Sequence, residues 1–205
     1  RTADDIVRGR PEAVVLQLCV ELCSLHFQRD DAAETLIANC LFADGASAAV
    51  WAGAGRGGGR ARVVATRSAV DADSGDQMGW RIGDHGFVMT LSDRVSDTLA
   101  RAIGPFVAGL RAAGGRAAGA AAGWAVHPGG RRIVEGIGRA LGLGADDLAS
   151  AYDVLRDYGN MSSATILFVL ERELARLGPE AAGDVVALGF GPGLSLEGAL
   201  LRVGP

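Results

Sequence analysis

Apolar positions along this chain alternate between two kinds of pattern. Short apolar runs with β-branched members occur at 13–19, 47–51, 61–70, 87–91, 123–127, 184–190 and 194–203, each reading as a strand. Between them lie longer stretches with apolar residues three and four apart. These predict helices over 30–42, 92–112, 131–141, 146–157 and from Ser162 or Ser163 to 177, and residues 1–10 read as the tail of another helix ending before Pro11. Acidic Asp30 and Asp31 suit the positive end of the first of these helices, and Ser92 with Asp93 suits the start of the second.

The runs at 13–19 and 123–127 are predicted to be buried on both faces. Strands 47–51 and 61–70 are expected to pair across the glycine-rich loop 52–59, and the last two strands to form a hairpin through Gly191-Pro192-Gly193. A polar stretch at 71–77 marks a boundary, dividing the chain into 1–77 and 78–205. Alternation of strands and helices argues for an α/β fold in layers.

Composition narrows the function. Hydrophobic residues make up 49% of the 205, which suits buried strands or a large subunit interface. No run approaches the roughly 20 apolar residues of a membrane span, and the start Arg1-Thr2-Ala3-Asp4 does not read as a signal peptide. A cytoplasmic protein is therefore the expectation. A net charge of −4 gives no footprint for nucleic acid or an anionic membrane. All 20 basic residues are arginine, so P-loop phosphate binding and Schiff-base chemistry have no lysine here. Cys19, Cys23 and Cys40 are odd in number and are expected to be reduced thiols.

Three segments place a polar or glycine-rich turn at the end of a buried element, where α/β enzymes build their sites: Trp124-Ala125-Val126-His127-Pro128-Gly129-Gly130, Tyr158-Gly159-Asn160-Met161-Ser162-Ser163-Ala164, and Gly189-Phe190-Gly191-Pro192-Gly193. A histidine past a strand end and an asparagine at a helix mouth are two donors that can converge on one oxygen and stabilise an enolate. A core histidine and a helix cap are the alternative reading of the same two residues.

The order and spacing of these segments resemble the signature of type III (chalcone-synthase-like) polyketide synthases. Cys19-Val20-Glu21-Leu22-Cys23-Ser24-Leu25-His26-Phe27 and Leu41-Phe42-Ala43-Asp44-Gly45-Ala46 are similar to that family too, and Met78-Gly79-Trp80-Arg81-Ile82-Gly83-Asp84-His85-Gly86-Phe87 resembles its bacterial members. The resemblance implies a thiolase-like layered αβαβα fold, here incomplete at the N-terminus, acting as a homodimer. It implies malonyl-CoA and an acyl-CoA starter as substrates, with no cofactor beyond these coenzyme A thioesters, no metal, and no nucleic-acid or membrane partner.

By the same resemblance His127 and Asn160 are the catalytic pair that holds the malonyl thioester, promotes loss of CO₂ and stabilises the enolate. His127 would also keep a nucleophilic cysteine as thiolate. Phe42 matches a gate between coenzyme A tunnel and cavity, and Met89 stands where the family has a second gating aromatic. Cys23, His26 and Trp80 match pocket-lining positions, and Gly189, Phe190, Gly191, Pro192 and Gly193 match the loop that shapes cyclisation. None of the three cysteines matches the nucleophile, which the resemblance places before Arg1. Cys40 is expected to pack as a small apolar residue, Cys19, Cys23 and His26 lack a fourth ligand for zinc, and His85 reads as a turn residue.

Two alternatives stay open. A ketoacyl synthase III-like enzyme would show His-Gln-Ala-Asn and Gly-Asn-Thr-Ser-Ala where this chain has His-Pro-Gly-Gly and Gly-Asn-Met-Ser-Ser. A non-catalytic truncated or scaffold subunit of the same fold is the other. The starter is either a long acyl chain, giving alkylpyrones or alkylresorcinols, or a malonyl unit, giving tetrahydroxynaphthalene.

Overall fold

The computed structural model describes residues 1–84, 86–116 and 120–204. His85, expected in a turn, and part of the alanine-rich connection 112–123 lie outside the described residues. The chain runs through α1 (Thr2–Gly9), β1 (Val14–Glu21), α2 (Ala33–Leu41), β2 (Gly45–Ala52), β3 (Ala61–Val70), β4 (Met78–Gly83), β5 (Gly86–Leu91), α3 (Val95–Ala113), β6 (Gly123–Val126), α4 (Arg131–Leu141), α5 (Ala149–Tyr158), α6 (Thr165–Leu177), β7 (Gly183–Gly191) and β8 (Ser195–Val203). Single 3₁₀ turns at Cys23–His26 and Ser162–Ala164 join β1 to α2 and α5 to α6.

The central sheet has the order β3-β8-β7-β6. β7 and β8 form the antiparallel hairpin expected from the Gly-Pro-Gly turn, with Gly191 opposite Ser195, and β6 joins β7 in parallel. Side chains alternate across a strand, so this sheet has two apolar faces. Val186, Leu188 and Leu200 share the main core with Val95, Leu99, Ile103, Phe106 and Leu110, which recur three and four apart along α3. Val63, Val185, Leu201 and Val203 form a second cluster against Leu170, Leu174 and Leu177 of α6 and Trp51 of β2. Helix α6 therefore lies between the central sheet and the β1–β2 pair, a sheet–helix–sheet layering.

Three expectations are corrected. β2 does not pair with β3; it pairs antiparallel with β1, while β3 pairs with β8. Residues 61–70 thus sit in the sheet of the 78–205 portion. The apolar pattern of β3 fits any buried sheet edge, and the glycine-rich loop between β2 and β3 is long enough to change sheets. Nor is β1 buried on both faces: Val14, Leu16, Leu18 and Val20 point outward and are more than half exposed. Finally, Cys40 is exposed on α2 and is not packed as an apolar residue.

A buried carboxylate ties the layers together behind β6. Glu173 of α6 is fully buried, and its Oε1 accepts from the Trp124 backbone N–H at 3.2 Å and from Arg176 Nη2 at 2.9 Å. Oε2 accepts from Ser150 Oγ of α5 at 2.6 Å and from Arg176 Nε at 3.2 Å. The charge is thus both hydrogen-bonded and paired, as a buried charge must be. Gly123 is required beside it, because a Cβ there would stand 2.5 Å from Oε1.

Candidate active site

His127 follows directly on β6. Its backbone N–H donates to Leu188 O of β7 at 2.8 Å, extending the parallel ladder by one residue, and the Gly129 N–H donates back to the His127 carbonyl at 3.0 Å. The strand end and the tight turn hold the backbone on both sides of this residue. Its side chain is 9% exposed, and burial pushes its pKa down to about 4, because the desolvated ring disfavours a positive charge. At neutral pH the imidazole is therefore uncharged, with one N–H donor and one acceptor nitrogen.

Asn160 lies in the turn between α5 and the Ser162–Ala164 turn, and is 3% exposed. Gly159 before it has φ +76°, and a Cβ there would meet Leu41 O at 3.1 Å, so the chain needs glycine at this reversal. Asn160 N–H donates to Leu41 O at 2.9 Å, and its carbonyl accepts from Ala43 N–H at 2.9 Å. These bonds form a single parallel bridge between Phe42 and Asn160. The side-chain Oδ1 accepts from Ser162 N–H at 2.9 Å. A backbone N–H can only be met by an acceptor, so the amide orientation is fixed and its NH₂ group is turned to the other side.

The turn beyond is anchored as well. Ser163 donates from both N–H and Oγ to Glu21 Oε1 at the end of β1. Ser162 holds φ +50°, a left-handed conformation uncommon for a residue with a Cβ.

Phe42 connects this region to a cavity of about 140 Å³. Cys23, His26, Phe42, Trp80 and Met89 all line it, so the structure brings these five sequence-selected residues to one place. Trp80 and Met89 are directly opposite one another in the β4–β5 ladder. The Phe42 ring lies 6.2 Å from Trp80, and His26 lies 5.7 Å from Trp80, centroid to centroid. Phe87 was not singled out as a site residue, yet it also lines the cavity, edge-on to His26 at 5.1 Å. The signal was its spacing: Phe87 and Met89 are two apart on β5 and share a face.

The 3₁₀ turn carrying Cys23 and His26 is held by Asp44, whose oxygens accept from Ser24 N–H and Ser24 Oγ, both at 2.7 Å. Those two bonds, the backbone one foremost, hold the Asp44 carboxyl below the usual range. The Cys23 thiol is pushed up by burial first, then by the charges of Glu21 and Asp44. It is thus kept as a thiol, the opposite of what a nucleophile requires. Cys19 lies on strand β1, apart from the 3₁₀ turn that carries both Cys23 and His26. Among the described residues no group of three or more His, Cys, Asp or Glu could hold a metal.

Gly189, Phe190, Gly191, Pro192 and Gly193 stand elsewhere. The first three end β7, and Gly193 N–H donates to Met78 O at 3.2 Å, fastening the hairpin turn to the start of β4. None of the five is in the wall of the cavity.

Comparison with known proteins places this geometry. The family of chalcone and stilbene synthases, C-terminal domain, matches residues 63–205. The chain belongs to that family. It is 38% identical over 201 residues to 1,3,6,8-tetrahydroxynaphthalene synthase of Streptomyces peucetius subsp. caesius, covering 97% of this chain and 53% of the relative. It is 31% identical over 208 residues to the alpha-pyrone synthesis polyketide synthase-like Pks18 of Mycobacterium tuberculosis, covering 98% and 53%. Among solved structures, PKS-I from the brown alga Ectocarpus siliculosus superposes with a TM-score of 0.91 at 34% identity, over 99% of this chain and 56% of that one. The 1,3,6,8-tetrahydroxynaphthalene synthase of Streptomyces coelicolor A3(2), a bacterial type III polyketide synthase, also gives 0.91, at 31% identity, over 100% and 58%.

The fold is thus the thiolase-like α/β fold of type III polyketide synthases, and this chain covers its carboxyl-terminal part. It spans about half the length of the curated relatives it matches. Among the described residues no helix is long and apolar enough to cross a membrane.

Proposed function

We propose that this chain supplies the decarboxylation pair and one wall of the reaction chamber of a type III polyketide synthase. The reaction is decarboxylative condensation of malonyl-CoA onto an acyl-CoA starter. The supporting observation is the Asn160 side chain, whose Oδ1 is tied to Ser162 N–H so that its NH₂ group is the donor left to a ligand.

In this reading Asn160 Nδ2–H and an N–H of His127 both donate to the malonyl thioester carbonyl oxygen. The bond from the malonyl carbon to its carboxylate breaks, CO₂ leaves, and the electron pair becomes the thioester enolate held by the two donors. The enolate carbon then attacks the carbonyl carbon of an acyl group held as a cysteine thioester; the new carbon–carbon bond forms, the acyl C–S bond breaks, and the cysteine leaves as thiolate while the lengthened chain stays on coenzyme A. A His127 ring kept neutral by burial is a hydrogen-bond donor and a poor acid, so it stabilises the enolate without protonating it. The thiolate–imidazolium pair expected from the resemblance would need a negative charge close to this ring. The raised Cys23 thiol, the strand position of Cys19 and the exposure of Cys40 favour an acyl-carrying cysteine outside these 205 residues.

Phe42, bridged to Asn160 through its backbone and facing the cavity with its ring, is placed to act as the gate between decarboxylation site and chamber. An apolar ring at that point favours departure of neutral CO₂ over retention of a desolvated carboxylate. We assign the protein to the cytoplasm and to a homodimer on the family resemblance.

The test uses the longer protein that contains this chain, incubated with radiolabelled malonyl-CoA alone and with long-chain acyl-CoA starters. His127→Ala is expected to abolish CO₂ release, and unchanged release would overturn the assignment. The products with each starter decide between tetrahydroxynaphthalene and pyrone or resorcinol chemistry. Residues 1–205 by themselves are expected to extend no starter, and a cysteine-dependent pyrone product from them would overturn the placement of the nucleophile.

A further inference from the structure

The turn that carries Asn160 is seated on the end of the β1–β2 pair by a packing contact as well as by hydrogen bonds. Met161, the residue after Asn160, is 3% exposed and belongs to the main core. Its side chain covers Gly45, the first residue of β2. A Cβ on Gly45 would stand 2.5 Å from Met161 Sδ and 2.7 Å from both its Cβ and its Cγ. Gly45 does not have a positive φ, so its backbone would accept other residues, and it is space that requires glycine here.

The overlap reaches Met161 Cβ, an atom fixed to the main chain. Carbon atoms pack best at about 3.5–4.0 Å, so turning the outer part of the side chain cannot relieve it. A methyl group at position 45 must therefore lift the backbone of Met161 or push back the start of β2. The surroundings pass that movement to Asn160. Its N–H and carbonyl are bonded to Leu41 and Ala43, its Oδ1 to Ser162 N–H, and Ser163 is bonded to Glu21, which lies opposite Gly45 in the ladder. A close-packed interior transmits such a displacement instead of absorbing it.

We propose that Gly45 is a positioning residue for the decarboxylation step. Its bare Cα is the seat of Met161, and the depth of that seat sets where the Asn160 NH₂ group stands. Gly45 acts through Met161 and Asn160 and not on the substrate. This rests on the reading of Asn160 as a donor to the malonyl thioester.

The test combines kinetics of the longer protein that contains this chain with NMR of the 205-residue chain. Gly45→Ala is expected to lower kcat for malonyl-CoA decarboxylation about 30-fold to 100-fold, the scale of a catalytic group misplaced by about 1 Å. KM is expected to change less than about threefold, because the loss falls on an interaction made in the transition state. Met161→Ala, which introduces no overlap, empties the seat and is expected to lower kcat about tenfold, again with little change in KM. The double variant has lost two of the three overlaps, and its kcat is expected within about threefold of that of Met161→Ala alone. Losses that simply multiply, or an unchanged kcat in Met161→Ala, overturn the proposal. Asn39 and Asn160 are the only asparagines, so asparagine-labelled chain shows two side-chain NH₂ pairs, and Asn160→Asp identifies which is which. Gly45→Ala is expected to move the Asn160 pair and leave that of Asn39 in place. An unmoved Asn160 pair, or full kcat in Gly45→Ala beside an inactive Asn160→Asp, overturns the role of Gly45 and leaves the decarboxylation reading standing. Unchanged CO₂ release by Asn160→Asp overturns that reading and this proposal together.

Discussion

Phe42 and Asn160 are joined backbone to backbone by a single parallel bridge, in which Asn160 takes the Leu41 carbonyl and gives its own carbonyl to Ala43, each at 2.9 Å. The residue whose ring lines the cavity and the residue whose amide is the candidate donor thus share one register. A shift in either segment moves both, which is why a gate and a catalytic donor can stay aligned without touching through their side chains.

Asn160 has two separable duties, capping Ser162 N–H and offering its NH₂ group. Asn160→Ala removes both, and is expected to lower stability by about 1 kcal/mol because a half-buried N–H loses its partner. Asn160→Asp keeps an oxygen for Ser162 and removes the NH₂ donor. Its folding should suffer less than that of the alanine variant, while malonyl-CoA decarboxylation by the longer protein falls roughly 100-fold or more. Urea unfolding and CO₂ release, measured side by side, check both halves.

His127 should impose a pH dependence on folding. Its pKa is about 4 in the folded chain against an ordinary 6.5, so between those values the unfolded chain binds the extra proton. Stability from this group is full above about pH 6.5 and is lost as the pH falls towards 4, by about 3 kcal/mol over the window. Denaturant titrations at pH 7, 5.5 and 4.5 should show a steeper decline for the unsubstituted chain than for His127→Gln, which has nothing to titrate.

Glu173 supports β6 from behind through Trp124 N–H, Ser150 Oγ and Arg176. Glu173→Ala strands the first two donors in the core and is expected to cost roughly 3 kcal/mol. Glu173→Gln retains an acceptor and should cost less. Gly123→Ala drives a Cβ towards the carboxylate and is expected to destabilise comparably, a result readable from thermal melts.

The outer face of the β1–β2 pair is apolar on both strands: Leu18 is 64% exposed and Val50 71%. The 205-residue chain in solution is expected to bind an apolar dye there, since contiguous exposed patches of this kind are uncommon on isolated domains. Leu16→Glu together with Leu18→Glu should reduce dye fluorescence severalfold while changing the unfolding midpoint little, because neither side chain loses packing.

Local order was legible from the pattern of residues alone. The α4 span 131–141 was predicted with the bounds it has, and the β7–β8 hairpin followed from two apolar runs flanking Gly191-Pro192-Gly193. The candidate pair came only from the family resemblance of several motifs in order along the chain, since either motif alone also fits a core histidine or a helix cap. For the helix and the hairpin the information lies in neighbouring residues, where periodicity and turn chemistry act directly.

Partner choice was not legible. The run 61–70 is equally apolar whether it pairs with β2 or β8, and only the packing of α3 and α6 on opposite faces places it beside β8. The same holds for Glu173, whose three partners are 3, 23 and 49 residues distant, and for the bridge that aligns Phe42 with Asn160. The sequence by itself determined most of the elements and their order, though not strand β4 (Met78–Gly83), and the residue types at the turns. Tertiary structure decided which edges meet, which faces stay open and which polar atoms find partners, because burial is a property of the assembled chain and of no single segment.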